Sequence, residues 1–337
     1  MHEGRVLLFH DVARSASFWD PDHLIAHIAL GTCLENLVLQ AHALGLNVRT
    51  DVGPVASVPQ LIAALTFFNT RTEGQEPHVA DELAAMIGRR QTNRKVVQRQ
   101  ELPASVLGQL ESAVQGVSGA SLHLIDNQDG LNELAAICGA AERIRVVNPI
   151  GHREFFQHEV RWTPEEAHAT GDGLDIATLE LSVMDQAGLR IASDPRAMAL
   201  VDRWQGGRGL ERLSSRAIRA SSACALVSIA GDSLADRITG GRAVERLWTT
   251  ANSAGWSVHP VSAPIFLTHA LTFPMEGLRL GERTELEQLR QRLMTVWQLT
   301  DRYPLFMVRL SLAGEASVRS LRRPVNDLIL RVPVPLT

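Results

Sequence analysis

The chain reads as an α+β protein built twice, two copies of one helix-and-strand unit related by a pseudo-twofold axis. Three observations predict this. Short apolar runs of strand length are interspersed with longer stretches whose apolar residues recur at helical spacing. At 337 residues the chain is long enough for two ordinary domains, or for one large domain made of a duplicated unit. Most tellingly, residues 31–48 align without a gap on residues 241–258. Gly31 meets Gly241, Glu35 meets Glu245, Leu37 meets Leu247, Ala41 meets Ala251, Gly45 meets Gly255 and Val48 meets Val258, with Leu34 opposite Val244. Any two amphipathic helices closed by glycine agree at their ends, but this agreement extends beyond the caps. A chain repeated in this way is its own dimer, with the two central helices packed about the axis and ligand sites expected between the halves.

The elements follow in order. Residues 6–10 (Val-Leu-Leu-Phe-His) form a short apolar run that reads as a buried strand, and residues 22–45 as a helix apolar on most sides, hence central and buried. Residues 61–68 read as a strand, and the polar stretch 70–77 closes a first section. A helix over 79–87, with Val79, Leu83, Met86 and Ile87 on one face, opens the second section. Pro103 starts a helix running to about Val114, its missing donor harmless in a first turn. Residues 120–125 alternate as a strand, 131–147 and 152–162 read as helices, and Thr163-Pro164 caps another. The stretch from about 165 to 220 reads as an inserted, mainly helical, lid-like excursion covering something. Residues 223–229 are a strand, Thr239-Gly240-Gly241 opens a helix ending at Gly255, and 305–312 is the last strand before a basic tail.

One polar knot stands out. Arg89-Arg90-Gln91-Thr92-Asn93-Arg94-Lys95 follows the helix over 79–87 and places three arginines and a lysine in one turn and loop. Charge runs are commonly solvated faces, yet guanidinium groups this dense suit a phosphate. The bulk composition is otherwise ordinary. With 33 basic and 37 acidic residues, a net charge of −4 gives no general electrostatic reason to bind nucleic acid or an acidic membrane. Cys33, Cys138 and Cys224 are widely spaced and odd in number, which argues against a disulfide framework and for a reduced, cytoplasmic compartment. No signal peptide is apparent, and the apolar runs look too short to span a membrane.

With the residues laid out, the chain resembles the nitroreductase-like flavoproteins. The resemblance is carried by Ala29-Leu30-Gly31-Thr32-Cys33-Leu34-Glu35-Asn36, the knot Arg89 to Arg94, His158-Glu159-Val160-Arg161-Trp162-Thr163-Pro164-Glu165-Glu166, Gly240-Gly241-Arg242-Ala243, and Arg319-Ser320-Leu321-Arg322-Arg323-Pro324. It is similar, more narrowly, to the tandem-repeat (Acg-type) branch, and most of all to the nitroreductase-like part of fusions with a ThiF-like adenylating domain. The resemblance implies two nitroreductase-like units in tandem, helices around mainly antiparallel sheets: 1–78, N-terminally incomplete, and 79–337, carrying the inserted segment. It further implies FMN at the interface of the units. Arg90, Thr92 and Arg94 would hold the 5′-phosphate, Arg319, Arg322 and Arg323 would complete the clamp, and Pro260, Val261 and Ser262 would bring backbone amides near the flavin ring. The helix starting at Gly240-Gly241 would offer free N–H groups to an anion.

The knot is one residue longer than the family's Arg-Arg-Ser-x-Arg spacing, and nothing in the sequence matches the Pro-Ser-x-x-Asn-x-Gln-Pro-Trp segment that forms the other flavin wall. The implied function is an FMN-dependent oxidoreductase acting on a small organic substrate with NAD(P)H as donor. The alternatives are a non-catalytic flavin-holding or regulatory protein roofed by residues 171–209, or a cofactor-free interaction module of a larger multidomain protein.

Other constellations point away from dedicated side-chain chemistry. His152, His158 and Glu159 lack metal-ligand spacing. Asp172 and Asp175 read as turn residues without the rest of a calcium loop. Gly206-Gly207-Arg208-Gly209 lacks the preceding strand of a dinucleotide fingerprint, and tryptophans 162, 204 and 248 read as packing. No Ser/His/Asp or Cys/His set announces a nucleophile, which suits an enzyme whose cofactor carries the redox step.

Overall fold

The computed structural model describes residues 4–69 and 79–329. In chain order its elements are β1 (Gly4–Phe9), α1 (Val12–Ser15), α2 (Leu24–Ala43), β2 (Leu46–Val52), β3 (Leu61–Asn69), α3 (Val79–Ile87), α4 (Ala104–Gln115), β4 (Ala120–Ile125), α5 (Gln128–Val147) and α6 (Pro149–Arg153). After a turn of π-helix at Glu154–Glu159 come β5 (Val160–Arg161), α7 (Pro164–Thr170), β6 (Leu174–Asp175), a 3₁₀ turn (Ile176–Leu179), α8 (Val183–Ala192), α9 (Pro195–Arg203) and α10 (Arg208–Arg219). The chain then forms β7 (Ala223–Ile229), α11 (Leu234–Ser253), β8 (Ser257–Pro260), α12 (Ala263–Ala270), α13 (Leu280–Val296) and β9 (Tyr303–Ser311).

The fold is α+β: among the described residues, helices surround two antiparallel sheets, with a small parallel pair, β5-β6, beside them. One sheet has the order β1-β3-β2 and the other β4-β7-β9-β8. The repeat seen in the sequence continues into topology. Each copy runs strand, long helix, strand, strand, and in each the third strand lies between the other two, giving β1-β3-β2 and β7-β9-β8. Gly45 and Gly255 end the two helices with φ of 76° and 80°, a conformation that favours glycine, and the chain passes straight into β2 or β8. The two long helices cross at their equivalent glycines. A Cβ on Gly31 would lie 2.8 Å from the Gly241 Cα, so only glycine at both positions lets the backbones touch.

The larger sheet is covered on both faces, and every residue of β7 is buried. Cys224, Leu226 and Met307 face the apolar sides of α5, α12 and α13, while Ala225, Val227, Val308 and Leu310 face α4 and α11. In the smaller sheet Ile62 and Leu65 pack with Leu34 of α2 and Ile238 of α11. This buries β3 and leaves β1 at an edge, with Leu7 51% and Phe9 54% exposed. The run 6–10 is thus a strand as expected but not a buried one, because only one flank of the three-stranded sheet is helix-covered.

Four other expectations are corrected. The helix expected to open at Gly240 begins at Leu234, where Ser233 and Asp236 form a capping box. Gly240 and Gly241 are therefore inside α11 with their amides hydrogen-bonded in the helix, and offer nothing to an anion. Residues 152–162 are not one helix: Asn148 caps α6, which passes through the π-helical turn into β5. The segment after residue 262 holds α12 and α13, which the sequence had not declared. Finally, α2 spans 20 residues at mean hydropathy 1.4, long and apolar enough on those grounds to cross a membrane. Half of it is buried within the fold, and its Glu35 is a fully buried ion-pair partner of α11, so here it is a core helix. The proposed boundary near residue 78 falls outside the described residues.

Candidate functional site

The knot lies where α3 stops. Arg89 and Arg90 donate their amides to Met86 O, and the chain then runs extended beside β8, bridged in parallel at Thr92 and Val258, with Asn93 N donating to Val258 O at 3.0 Å. Asn93, buried in the middle, is the anchor. Its Nδ2 donates to Ser257 Oγ (3.2 Å) and Gly314 O (3.0 Å), and its Oδ1 accepts from Lys95 N. An asparagine inside a charge run carries no sequence signal for such a role, and it was missed.

The tail folds back onto the same strand. Arg319 donates to Gly88 O at 2.8 Å, Arg322 to Arg90 O at 3.1 Å, and Lys95 Nζ to Glu315 O at 2.7 Å. Knot and tail, more than 200 residues apart in the chain, are brought into one patch with β8. Within it Arg90 sits 3.0 Å from the carboxylate of Glu245, which is fully buried, and stacks its guanidinium 4.6 Å over Trp248. Burial pushes the Glu245 carboxyl up, and the charge of Arg90 opposes that shift.

The turn at 260–262 is more committed than expected. Pro260 has no amide hydrogen, Val261 N donates to Met307 O at 2.9 Å, and the Ser262 hydroxyl bonds both Met307 O and Met307 N at 2.8 Å. The turn can thus present its apolar surface, but the amides of Pro260 and Val261 are not available to a ring.

Three cavities adjoin these segments. The largest, about 1110 Å³, lies between residues 13–29, 142–174 and 260–267; Trp19, Arg145, Arg161, Ser262, Phe266 and Arg323 are on its wall. Arg323 Nε is buried there without a hydrogen-bond partner. A smaller cavity of about 300 Å³ is walled by Arg94, His259, Pro260 and Val261 on one side and by the excursion, from Leu174 to Ala217, on the other. The two share Glu142, Arg145, Glu159, Leu174, Pro260 and Ala263, so they adjoin across that wall. The third, about 410 Å³ and polar, contains Arg89, Gln91, Asn93 and Arg319. Arg90, Thr92 and Arg322 line none of these three.

The shared wall is electrostatically closed. Arg145 pairs with Glu142 at 3.2 Å and with Glu159, and lies 4.9 Å over the Phe155 ring; Arg161 pairs with Asp172 at 2.6 Å. The small cavity differs. Arg94 has a single hydrogen bond, from Nη1 to Thr178 O of the excursion at 3.1 Å, and burial lowers its pKa to about 10. Arg309, 1% exposed, donates its Nε to His259 Nδ1 at 2.9 Å and its Nη2 to Arg94 O and Lys95 O; burial brings it also to about 10. Burial, with the positive charges of Arg309 and Arg94, holds His259 well below the usual imidazole range. His259 and Arg309 lie in strands whose other residues are apolar or small, and no spacing rule marked them.

No family model matches the chain. A curated relative, the uncharacterized protein MT1398 of Mycobacterium tuberculosis (strain CDC 1551 / Oshkosh), is 31% identical over 194 residues, 58% of this chain. The chain's match spans about a quarter (26%) of that relative's length. Among solved structures the fold is similar to those of nitroreductase-like FMN flavoproteins. The FMN-dependent nitroreductase NfnB of Mycobacterium smegmatis, solved with NADPH, aligns with a TM-score of 0.44 and 15% identity, covering 76% of this chain and all (100%) of that one. A nitroreductase with bound FMN from Bacteroides fragilis NCTC 9343 aligns at 0.39 and 13%, covering 75% and 99%. A BluB-like flavoprotein from Clostridium difficile 630 aligns at 0.39 and 12%, covering 77% and 100%.

Proposed function

We propose that the chain is an FMN-dependent oxidoreductase of nitroreductase-like type, reducing or dehydrogenating a small organic molecule with NAD(P)H as donor. The observation that carries this reading is the convergence of knot, tail and the end of β8 into one guanidinium-rich patch beside the 1110 Å³ cavity. The donor set fits a flavin phosphate. Arg94, Arg319, Arg322 and Arg323 have no carboxylate ion-pair partner among the described residues, and Arg323 has a buried donor with none of any kind. Arg90 and Thr92 would hold the knot in shape, Arg90 through Glu245 and Trp248. Pro260, Val261 and Ser262 would support the ring by contact rather than by amides. Bound FMN would supply the two-electron redox step. The excursion would exclude water from the small cavity.

In this reading residues 1–78 and 79–337 are the two units of a tandem, Acg-type chain working in the cytoplasm, with a ThiF-like adenylating domain or protein as partner. A second reading, a flavin-holding protein without turnover, is favoured by one observation: the excursion walls the small cavity and its Thr178 carbonyl already engages Arg94.

The visible spectrum of the purified chain, taken after adding FMN and desalting, tests the proposal. Flavin bands that survive and are bleached by NAD(P)H are expected for the enzyme. Bands that survive but resist NAD(P)H would leave the second reading. A colourless protein would overturn both and leave the cofactor-free interaction module.

A further inference from the structure

The 300 Å³ cavity holds a polar end that the flavin reading uses only in part: Arg94 is counted there among the phosphate donors, whereas His259 is not. Arg94 stands at one end of it, with the buried Arg309 behind His259, and among the described residues neither arginine has a carboxylate within ion-pair distance. The other charged groups on the wall have partners, and the Glu180 carboxylate also acts on Arg94 from beyond ion-pair distance. Glu142 and Glu159 pair with Arg145, Arg216 pairs with Asp185, and Glu180 accepts from Ser317 N at 2.7 Å. With no carboxylate in direct contact, the Arg94 donors not bonded to Thr178 O are left for a ligand. Arg309's own geometry has a structural explanation, since its three bonds tie the knot and β8 to β9. That explanation does not cover the remaining Arg94 donors or the outer nitrogen of His259.

The protonation of that nitrogen follows from the contacts. An arginine Nε can only donate, so His259 Nδ1 accepts, and the ring proton of the neutral imidazole sits on Nε2. Nε2–H makes no other bond among the described residues, and His259 lines the cavity. The polar end therefore offers a guanidinium and one oriented N–H. The rest of the wall is apolar, formed by Phe155, Leu179, Leu181, Leu189, Leu210 and Leu213.

We propose that this cavity is a binding site for a small carboxylic acid with a compact apolar body, its carboxylate received by Arg94 and the Nε2–H of His259. About 300 Å³ is the lower end of the range for ligand pockets, which excludes a nucleotide. A phosphate dianion would leave charge uncompensated against leucine walls, whereas a monocarboxylate satisfies both donors and buries its body. The acid would displace the Thr178 carbonyl from Arg94, so binding is coupled to the position of the excursion. This assigns Arg94 to the cavity and leaves Arg319, Arg322 and Arg323 as the flavin-phosphate donors of the proposed function, so the site stands whether or not FMN is bound.

The test is calorimetry on the full chain with benzoate and 3-methylbutanoate against their neutral amides, with flavin content recorded separately. Each acid is expected to bind at least about tenfold more tightly than its amide, because only the acid makes charge-assisted hydrogen bonds to Arg94. Arg94→Met and His259→Ala should each remove about that advantage. Leu213→Trp, which fills the cavity and leaves the polar end intact, should abolish binding of acid and amide alike. Nitrogen-detected NMR should show a neutral Nε2–H tautomer of His259 that shifts on adding benzoate. Equal binding of acid and amide, no binding of either acid at millimolar concentration, an acid that binds the Leu213→Trp protein as tightly as the wild type, or a His259 signal that does not respond would each overturn the assignment. So would displacement of benzoate by inorganic phosphate at lower concentration, which would make the cavity a phosphate site.

Discussion

Replacing Gly31 by alanine should destabilise the chain although it adds a better helix former. At the crossing of α2 and α11 a Cβ on Gly31 would stand 2.5 Å from Ile238 O and 2.8 Å from Gly241 Cα, where ordinary contact begins at 3.4 Å. Both obstructing atoms are backbone, so no rotamer change relieves the clash, and the helices must part by several tenths of an ångström along their contact. Overpacking of this kind costs about 3 kcal/mol, and the gain in helix propensity returns about 1, leaving a loss of about 2 kcal/mol. For a chain of 337 residues that lowers Tm by about 3 °C. Gly108→Ala is the control. It lies inside α4 with nothing within 4 Å of its added Cβ, and should raise stability by about 0.5–1 kcal/mol. Urea unfolding followed by circular dichroism measures both. A Gly31→Ala protein as stable as the parent, with Gly108→Ala stabilised, would refute backbone-to-backbone packing of the repeated helices.

Three further outcomes are expected. Glu35, fully buried, pairs with both Arg242 (2.7 Å) and Arg246 (2.5 Å) of α11: Glu35→Gln breaks both pairs and should cost about 3 kcal/mol in the same urea experiment, and an unchanged midpoint would sink the pairing. His27 is held at about 4, first by burial and then by Arg237, His10 and His23, with Asp22 opposing. A base whose folded pKa lies below its ordinary 6.5 stabilises the fold above that pH and loses the contribution as pH falls toward 4, by about 1–2 kcal/mol after discounting for partial exposure. His27→Asn should flatten that acid limb of the stability–pH curve, and an unaltered slope counts against it. Arg323→Met should weaken FMN retention about tenfold in equilibrium dialysis if its orphaned Nε meets the cofactor, and wild-type retention would remove Arg323 from the site.

Much of this fold was legible because its strongest signals are periodic. The capped helices α5 and α7, the strands β3, β4 and β7, and the helix α2 announce themselves by spacing and by Asn, Thr, Pro and Gly at their ends. Helix α11 was legible only in part, because Gly240 and Gly241 look like a start when they serve a close approach, a tertiary demand that local propensity cannot reveal. Strand β1 looked buried because its apolar run is symmetrical, whereas burial depends on which flank of the sheet a helix covers. The candidate site divides along the same line. Clustered arginines in the knot and tail could be found, since density of charge is visible in one dimension. Asn93, His259 and Arg309 could not, because their roles come from partners as far as 221 residues away in the chain.

The two copies can be compared residue by residue, because the sequence repeat and the strand register give the same correspondence. Val48 pairs with Phe67 as Val258 pairs with Leu310, so the next pairs, Arg49 with Thr66 and His259 with Arg309, are equivalent. On the other side Thr66 faces Arg5, as Arg309 faces Cys224. In the first copy the basic residues flank a small hydroxyl at the strand centre. In the second the basic residue has moved to the centre, between a neutral imidazole and a thiol. Arg309 is buried there under α5 and the knot, whereas β2 lies at the edge of a sheet with Arg49 mainly exposed to solvent. A guanidinium at an exposed edge is hydrated and needs no ligand. The same group moved into the covered strand demands neutralisation and fixes whatever lies beside it. The two frames correspond in register, and the difference in cover sets the second apart as the candidate site.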